Sequence, residues 1–213
     1  MSVVVAIKSE GKIVIGSDSQ VTKGGTRTTL KNPNNYKIWK VDGSENCLMA
    51  HVGNVRDANV VRLMRDVIDD YDEYRDRVNY RFVVKYLVPE ITKTLKEAGY
   101  LKMSDGYLEY MDSSFLFAYK DQLFMINSDG CVIEIDDYVA IGSGAQEAIG
   151  SLLSTEGQGA RRRIVKAIKA SAANDIYVDY PIILADTSNT EFEIVTEKNE
   201  NKYLIKDNQG GKK

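Results

Sequence analysis

Two short runs of aliphatic residues open the chain, Val3-Val4-Val5-Ala6-Ile7 and Ile13-Val14-Ile15, separated by a polar segment containing Gly11. Runs of this length on either side of a glycine turn predict the two strands of a hairpin. Both are continuous rather than alternating, so both faces of these strands are predicted to be covered. The apolar pattern starts immediately after Ser2, which places that residue at the end of a core strand rather than on a loose terminus.

Further along, Thr22 to Asn35 is polar and aperiodic and reads as a surface loop lining a cleft, with Pro33 discouraging regular pairing. Tyr36 to Val41 alternates with period two and Cys47 to Val52 returns after Asp42-Gly43-Ser44, predicting a second hairpin. Asn54 is placed to cap a helix whose apolar positions are Val61, Met64, Ile68 and Tyr71. Another helical pattern runs from Arg81 to Glu97, with a kink or early break expected at Pro89. Strands are predicted at Ser114–Tyr119, Gln122–Ile126, Val132–Ile135 and Tyr138–Ile141, and helices at Ala145–Ser154 and Ala160–Ala173. Three last strands are expected at Ile182–Ala185, Phe192–Val195 and Tyr203–Ile205.

Strands, two helices, strands, two helices, strands: this order, with strands covered on both faces, predicts an α+β fold, a four-layer α-β-β-α sandwich of two stacked sheets. With 213 residues, 43% of them hydrophobic, and no break in composition, one domain over residues 1–207 is expected, followed by a loose tail at 208–213. No window approaches a membrane span and there is no leader pattern, so a soluble, cytoplasmic protein is expected. A net charge of −3 gives no footprint for nucleic acid. Cys47 and Cys131 lie in apolar strand-like runs and read as buried free thiols of a reducing compartment. His51, the single histidine, has no companions at ligand spacing; a hydrogen-bonded strand histidine near the cleft is expected, not a zinc site. The mixed charges from Arg65 to Arg77 read as a solvated face, and Arg161-Arg162-Arg163 as surface available to a subunit contact. No phosphate-binding Gly-Lys-Ser/Thr loop occurs, and no cofactor or metal is implied.

The chemistry starts at Ser2. Removal of Met1, ordinary before a small second residue, would leave Ser2 with a free α-amine of pKa about 7.7–8.0, near the value suited to a general base. One residue would then hold both the attacking Oγ and the group that takes its proton.

Asp18-Ser19-Gln20-Val21-Thr22, Lys37-Ile38, Gly53 through Asp57, the turn Ile141-Gly142-Ser143-Gly144 and Asp175 follow in order. With Ser2 at the matching distance before Asp18, this set resembles the proteasome family of N-terminal nucleophile (Ntn) hydrolases, proteasome β subunits and the HslV-type peptidase, over roughly Ser2 to Val195. The resemblance implies a threonine-type endopeptidase in which Ser2 is the nucleophile and Lys37, paired with Asp18, lowers its pKa. It implies that the Gly53 N–H is the oxyanion donor and that Ser143 and Asp175 hydrogen-bond the terminal amine. It also implies polypeptide substrates, self-association into rings and an AAA+ unfoldase as partner.

Three departures accompany it. Serine replaces threonine, and the lost methyl frees χ1, which predicts slower peptidase chemistry. Val178 stands where many relatives carry a serine. The segment between Asp18 and Lys37 is long, leaving Lys31 and Lys40 as alternatives to Lys37, which best keeps the hairpin register. Two other functions fit the same fold: a catalytically silent scaffold or binding subunit, and a small-amide hydrolase with a closed pocket.

Overall fold

The computed structural model describes residues 2–64, 78–104, 108–189 and 191–205. The predicted apolar positions Ile68 and Tyr71, the charged segment 65–77 and the tail 208–213 lie outside these residues. The chain begins with β1 (Val3–Ser9) and β2 (Lys12–Ser17), then β3 (Gln20–Lys23), β4 (Thr26–Thr29), β5 (Ile38–Lys40) and β6 (Cys47–Gly53). Helices α1 (Val55–Val61), α2 (Tyr80–Phe82) and α3 (Val88–Glu97) follow, with a π-helical turn at Val83–Leu87 between the last two. Next come β7 (Lys102–Ser104), β8 (Leu108–Tyr110), β9 (Ser113–Tyr119), β10 (Gln122–Ile126), β11 (Val132–Glu134) and β12 (Tyr138–Gly142). The chain ends with α4 (Ala145–Ser154), α5 (Ala160–Ala172), β13 (Ile182–Asp186), β14 (Glu193–Val195) and α6 (Asn201–Leu204).

Two five-stranded sheets form, ordered β12-β1-β2-β13-β14 and β11-β10-β9-β6-β5. Strand β1 explains why they stack. Val3, Val5 and Ile7 point toward Ile164, Val165 and Ile168 of α5, while Val4 and Ala6 point into the space shared with Leu48, Ala50, Leu116 and Ala118 of the other sheet. That second sheet turns Met49, Phe115, Phe117 and Phe124 outward onto Val61, Phe82, Val83, Ile91 and Leu95 of the other helical layer. Three apolar interfaces therefore separate four layers, which is the predicted α-β-β-α sandwich. Gly16 sets how closely α5 approaches, since a Cβ there would lie 2.3 Å from Ile164 Cγ2.

Pro89 sits just after the π-turn, where a wider turn relieves the hydrogen bond and the steric room that proline denies. Several expectations are corrected. The segment predicted as a loop after Thr22 contains the β3–β4 ribbon, whose Gly24-Gly25 turn has positive φ at both residues (56° and 79°). Tyr203 to Ile205 is not a strand: Tyr203 and Leu204 belong to α6, next to Glu200, whose carboxylate binds Lys169 and the Tyr180 hydroxyl. Cys131 is exposed in the turn before β11, whereas Cys47 is fully buried; both are free thiols. The arginine cluster is not simple surface. Arg161 binds Asp186 and Glu193, and Arg163 donates to the Leu152 carbonyl oxygen.

Candidate active site

Ser2 enters the core at the edge between β1 and β12. Its N–H donates to Ser143 Oγ at 3.1 Å, and its carbonyl oxygen accepts from Gly144 N–H and Ser143 Oγ, each at 3.3 Å. The Gly142-Ser143-Gly144 turn thus grips Ser2 on both sides of its Cα. Gly142 has φ +103°, and a Cβ there would lie 2.2 Å from the Ser2 carbonyl oxygen, so a side chain is incompatible with this approach. Gly144 is fixed in turn by Ser171 of α5, whose buried Oγ donates to the Gly144 carbonyl oxygen at 2.7 Å.

Asp18 lies at the bend after β2, fully buried. One carboxylate oxygen accepts from Val3 N–H at 3.0 Å and the other from Gln20 N–H at 2.9 Å, and Lys37 Nζ donates to both at 2.7 and 2.8 Å. Lys37 Nζ also donates to the Gln20 carbonyl oxygen at 2.6 Å. Its hydrogen bonds come from Val3 at the start of β1, from Gln20 at the start of β3 and from the lysine, so Asp18 couples the position of β1 to that of Lys37. Burial pushes the Lys37 amine below the usual lysine range, opposed by the Asp18 carboxylate and, more weakly, by Asp175. The same desolvation pushes the Asp18 carboxyl up, opposed by Lys37.

Gly53 closes β6 with φ +116°, where a Cβ would lie 2.4 Å from the Asp112 carbonyl oxygen. Behind it, Asp57 Oδ2 accepts from Asp112 N–H and from Ser113 Oγ, each at 3.0 Å, while Asn54 N–H donates to Ser113 Oγ at 3.0 Å. Asn54 also caps α1 by accepting from Arg56 N–H. This network fixes the strand-to-helix junction that aims the Gly53 backbone.

Ser2, Lys37 and Gly53 line one cleft of about 780 Å³, together with Gln20, His51, Asn54, Asn59 and Tyr177. A second cleft of about 320 Å³ meets it at Gly53 and is lined by Gly142, Ser143, Ser113 and Ser128. The structure therefore brings Ser2, Asp18, Lys37, Gly53 and Ser143 together. Asp175 lies near enough to act electrostatically on Lys37; its Oδ1 accepts from Tyr177 N–H at 2.8 Å, and its Oδ2 is buried without a hydrogen-bond partner among the described residues. Gln20, Asp57, Ser171 and Gly142 support the site and were not assigned roles by the sequence. Gln20, Asp57 and Gly142 lie inside the motifs that carry the resemblance without a role of their own there, whereas Ser171 reaches the site only through the Gly144 carbonyl oxygen and left no signal.

His51 is also corrected. Its backbone N–H donates to the Lys37 carbonyl oxygen, but its Nδ1 is buried without a partner among the described residues. Burial, with Lys37 and Arg62 nearby, lowers its pKa from 6.5 to about 3. The folded protein thus keeps His51 neutral while the unfolded chain protonates below about pH 6.5. Between that pH and the folded pKa the unfolded state binds more protons, so this residue makes stability fall as pH falls, by about 1.4 kcal/mol per unit. Chemical denaturation from pH 7 to pH 5 should show this slope, and His51→Gln should remove it; equal slopes in both proteins would contradict the assignment.

The sandwich and the site together define an Ntn-hydrolase architecture. Residues 2–185 match the family described as proteasome subunit. The ATP-dependent protease subunit HslV of Borrelia duttonii (strain Ly) is 28% identical over 191 residues, covering 86% of this chain and 95% of its own. Among solved structures, Thiobacillus denitrificans BPH in complex with epoxomicin superposes with a TM-score of 0.65 at 20% identity, covering 89% of this chain and 99% of that one. Eukaryotic HslV from Trypanosoma brucei gives a TM-score of 0.65 at 17% identity, covering 86% and 98%. The chain belongs to the proteasome subunit family. No described helix is long and apolar enough to cross a membrane.

Proposed function

We propose that this chain is a proteasome-type peptidase subunit that hydrolyses peptide bonds with Ser2 after Met1 has been removed. The observation carrying this reading is the buried Lys37–Asp18 pair, set in the same cleft as Ser2 and Gly53. With Met1 attached, the Ser2 nitrogen is an amide and has no basic lone pair. Once freed, the α-amine accepts the proton as Oγ attacks the scissile carbonyl, and the Lys37 ammonium stabilises the oxygen anion. The Gly53 N–H donates to the oxyanion of the tetrahedral intermediate. The amine then returns the proton to the leaving nitrogen, giving an ester on Ser2, and water activated by the same amine releases the acid.

The wild type should lose the mass of Met1, degrade unfolded protein and form a covalent adduct with a peptide epoxyketone. Ser2→Ala should be processed alike but lose hydrolysis by on the order of 10³-fold or more; undiminished activity would overturn the mechanism. Val178, buried against the Gly144 turn in place of a hydroxyl, favours the alternative of a silent scaffold subunit. A processed protein that neither labels nor cleaves would establish that alternative.

Assembly into homo-oligomeric rings belongs to the same proposal. Ile149 and Leu153 of α4 and Ile176 are exposed, Ile176 at 79%, and self-association would cover them. The name of the Borrelia relative supports an unfoldase ATPase as partner, because this chain matches almost its full length.

A further inference from the structure

Lys37 stands just outside β5. That strand begins at Ile38, paired with Ala50, and the residues before it belong to the long segment that returns from Asp18. The Lys37 carbonyl oxygen accepts from His51 N–H at 2.9 Å, which holds one side of the residue to β6. On the other side, the Tyr36 carbonyl oxygen accepts from a side chain: Arg62 Nη2 donates to it at 2.6 Å. Arg62 Nη1 donates to the Asn34 carbonyl oxygen, inside the 3-10 turn Pro33–Asn35.

Arg62 is the C-cap of α1, the helix whose other end carries Asn54 next to Gly53. Its guanidinium lies 5.0 Å over the ring of Trp39, a buried residue of β5 that packs into the core under the helices. A planar fork of donors, stacked on an indole and bonded to two carbonyls of one segment, fixes the direction of that segment in a way a single flexible ammonium does not. The Tyr36 ring packs edge-on against Phe192 with centroids 5.4 Å apart, which anchors the side chain without fixing the carbonyl. One end of α1 therefore holds the Gly53 junction and the other holds the peptide that leads into Lys37. Farther out, Lys37 Nζ is held by Asp18 and the Gln20 carbonyl oxygen, so Arg62 acts at the root of the side chain and those groups at its tip.

We infer that Arg62 is a positioning residue: by clamping the Asn34 and Tyr36 carbonyls, it sets where the long Asp18-to-Lys37 segment delivers Lys37 to the cleft that contains Ser2. The clamp spaces the ammonium against the Gly53 N–H through the length of α1. This inference rests on the proposed peptidase reading for the role of Lys37.

The test compares the processed wild type with Arg62→Met, which keeps the stem and loses the donors, and with Arg62→Lys, which keeps the charge and can serve one of the two carbonyls. Two readouts are taken on each protein: kinetics on a fluorogenic peptide as a function of pH, and amide hydrogen exchange of His51 against that of Ala6 in β1. In Arg62→Met, kcat should fall by about 10- to 100-fold with KM little changed, as for a reacting group displaced by about 1 Å. The Lys37 ammonium opposes protonation of the Ser2 amine, so a lysine no longer held there lets the amine protonate more readily and moves the acid limb of the profile to higher pH. The other groups facing Lys37, the carboxylates of Asp18 and Asp175 and the neutral His51, are common to all three proteins, as are Lys23, Arg56 and Asp112 at the cleft. His51 exchange should quicken by about 10-fold or more in Arg62→Met while Ala6 keeps its protection. Arg62→Lys should fall between the other two, and it carries the test if Arg62→Met does not fold. Unchanged His51 exchange with an unmoved profile overturns the inference and leaves the peptidase reading intact. A moved profile with unchanged His51 exchange marks a direct effect of the lost charge and also overturns it, as does faster exchange with wild-type kcat. A wild type inert toward peptides, with faster His51 exchange in Arg62→Met, overturns the peptidase reading and leaves the clamp on the Lys37 segment standing.

Discussion

Lys37→Met is expected to reduce peptide hydrolysis by on the order of 10³-fold or more and to destabilise the fold. The two effects have separate origins. Catalysis falls because the only cation hydrogen-bonded to Asp18 among the described residues is lost from the cleft that contains Ser2. Stability falls because Asp18, fully buried, keeps two backbone donors and loses its counter-charge. Removing one partner of a buried ion pair typically costs about 3–5 kcal/mol.

A second substitution tells the two effects apart. Asp18→Asn combined with Lys37→Met leaves no unpaired charge and should recover much of the lost stability while activity stays absent. The pH dependence gives an independent check. In the wild type desolvation already holds the Asp18 carboxyl above its unfolded value against the lowering effect of Lys37, and removing Lys37 raises it further. A raised carboxyl pKa favours the folded state at low pH and loses that contribution as pH rises through the folded value. The stability deficit of Lys37→Met should therefore be larger at pH 7 than at pH 5, as urea denaturation at the two pH values would show. A deficit independent of pH would mean that packing around the lysine stem, and not the charge pair, sets the loss.

The layers were legible because β1 carries apolar residues on both faces, and only burial on both sides accommodates that pattern. The helix after Gly53 was legible for a local reason as well, since Asn54 caps it within its own turn. Elements whose stability comes from elsewhere left no such trace. The β3–β4 ribbon is built of threonine and charged residues with little to bury, and its register comes from a glycine turn. Residues Tyr203 and Leu204 are too short a run for periodicity to separate strand from helix, and contacts through Glu200 settle the outcome. Cys131 follows Asp129-Gly130, and the turn carries it to the surface despite its apolar neighbours. At the site, side chains that meet across the sheet stack, such as Lys37 and Asp18, were found through the motifs that carry the family resemblance. Backbone-mediated supports such as Ser171 on Gly144 offered no residue-type signal.

Gly142→Ala should be nearly as damaging as loss of a side chain that performs chemistry. The added Cβ would sit 2.2 Å from the Ser2 carbonyl oxygen and 3.1 Å from Val52 Cγ1, on a backbone with φ +103°. Neither strain has a cheap escape. The oxygen belongs to the main chain and is held by Gly144 N–H and Ser143 Oγ, so relief means moving Ser2 itself. A displacement of about 1 Å at a reacting group costs on the order of 10²-fold in rate, and strained backbone of this kind adds about 1–3 kcal/mol of destabilisation. Activity should thus fall in kcat, with Ser2 still processed. Gly150→Ala in α4 is the matched control, because a Cβ there meets nothing within 4 Å; it should leave kcat unchanged and stabilise the helix by up to about 1 kcal/mol. Steady-state kinetics and thermal melting of the two variants make the comparison. If Gly142→Ala retains wild-type kcat, Ser2 is not positioned by this turn, and the grip of the Gly142-Ser143-Gly144 segment is structural alone.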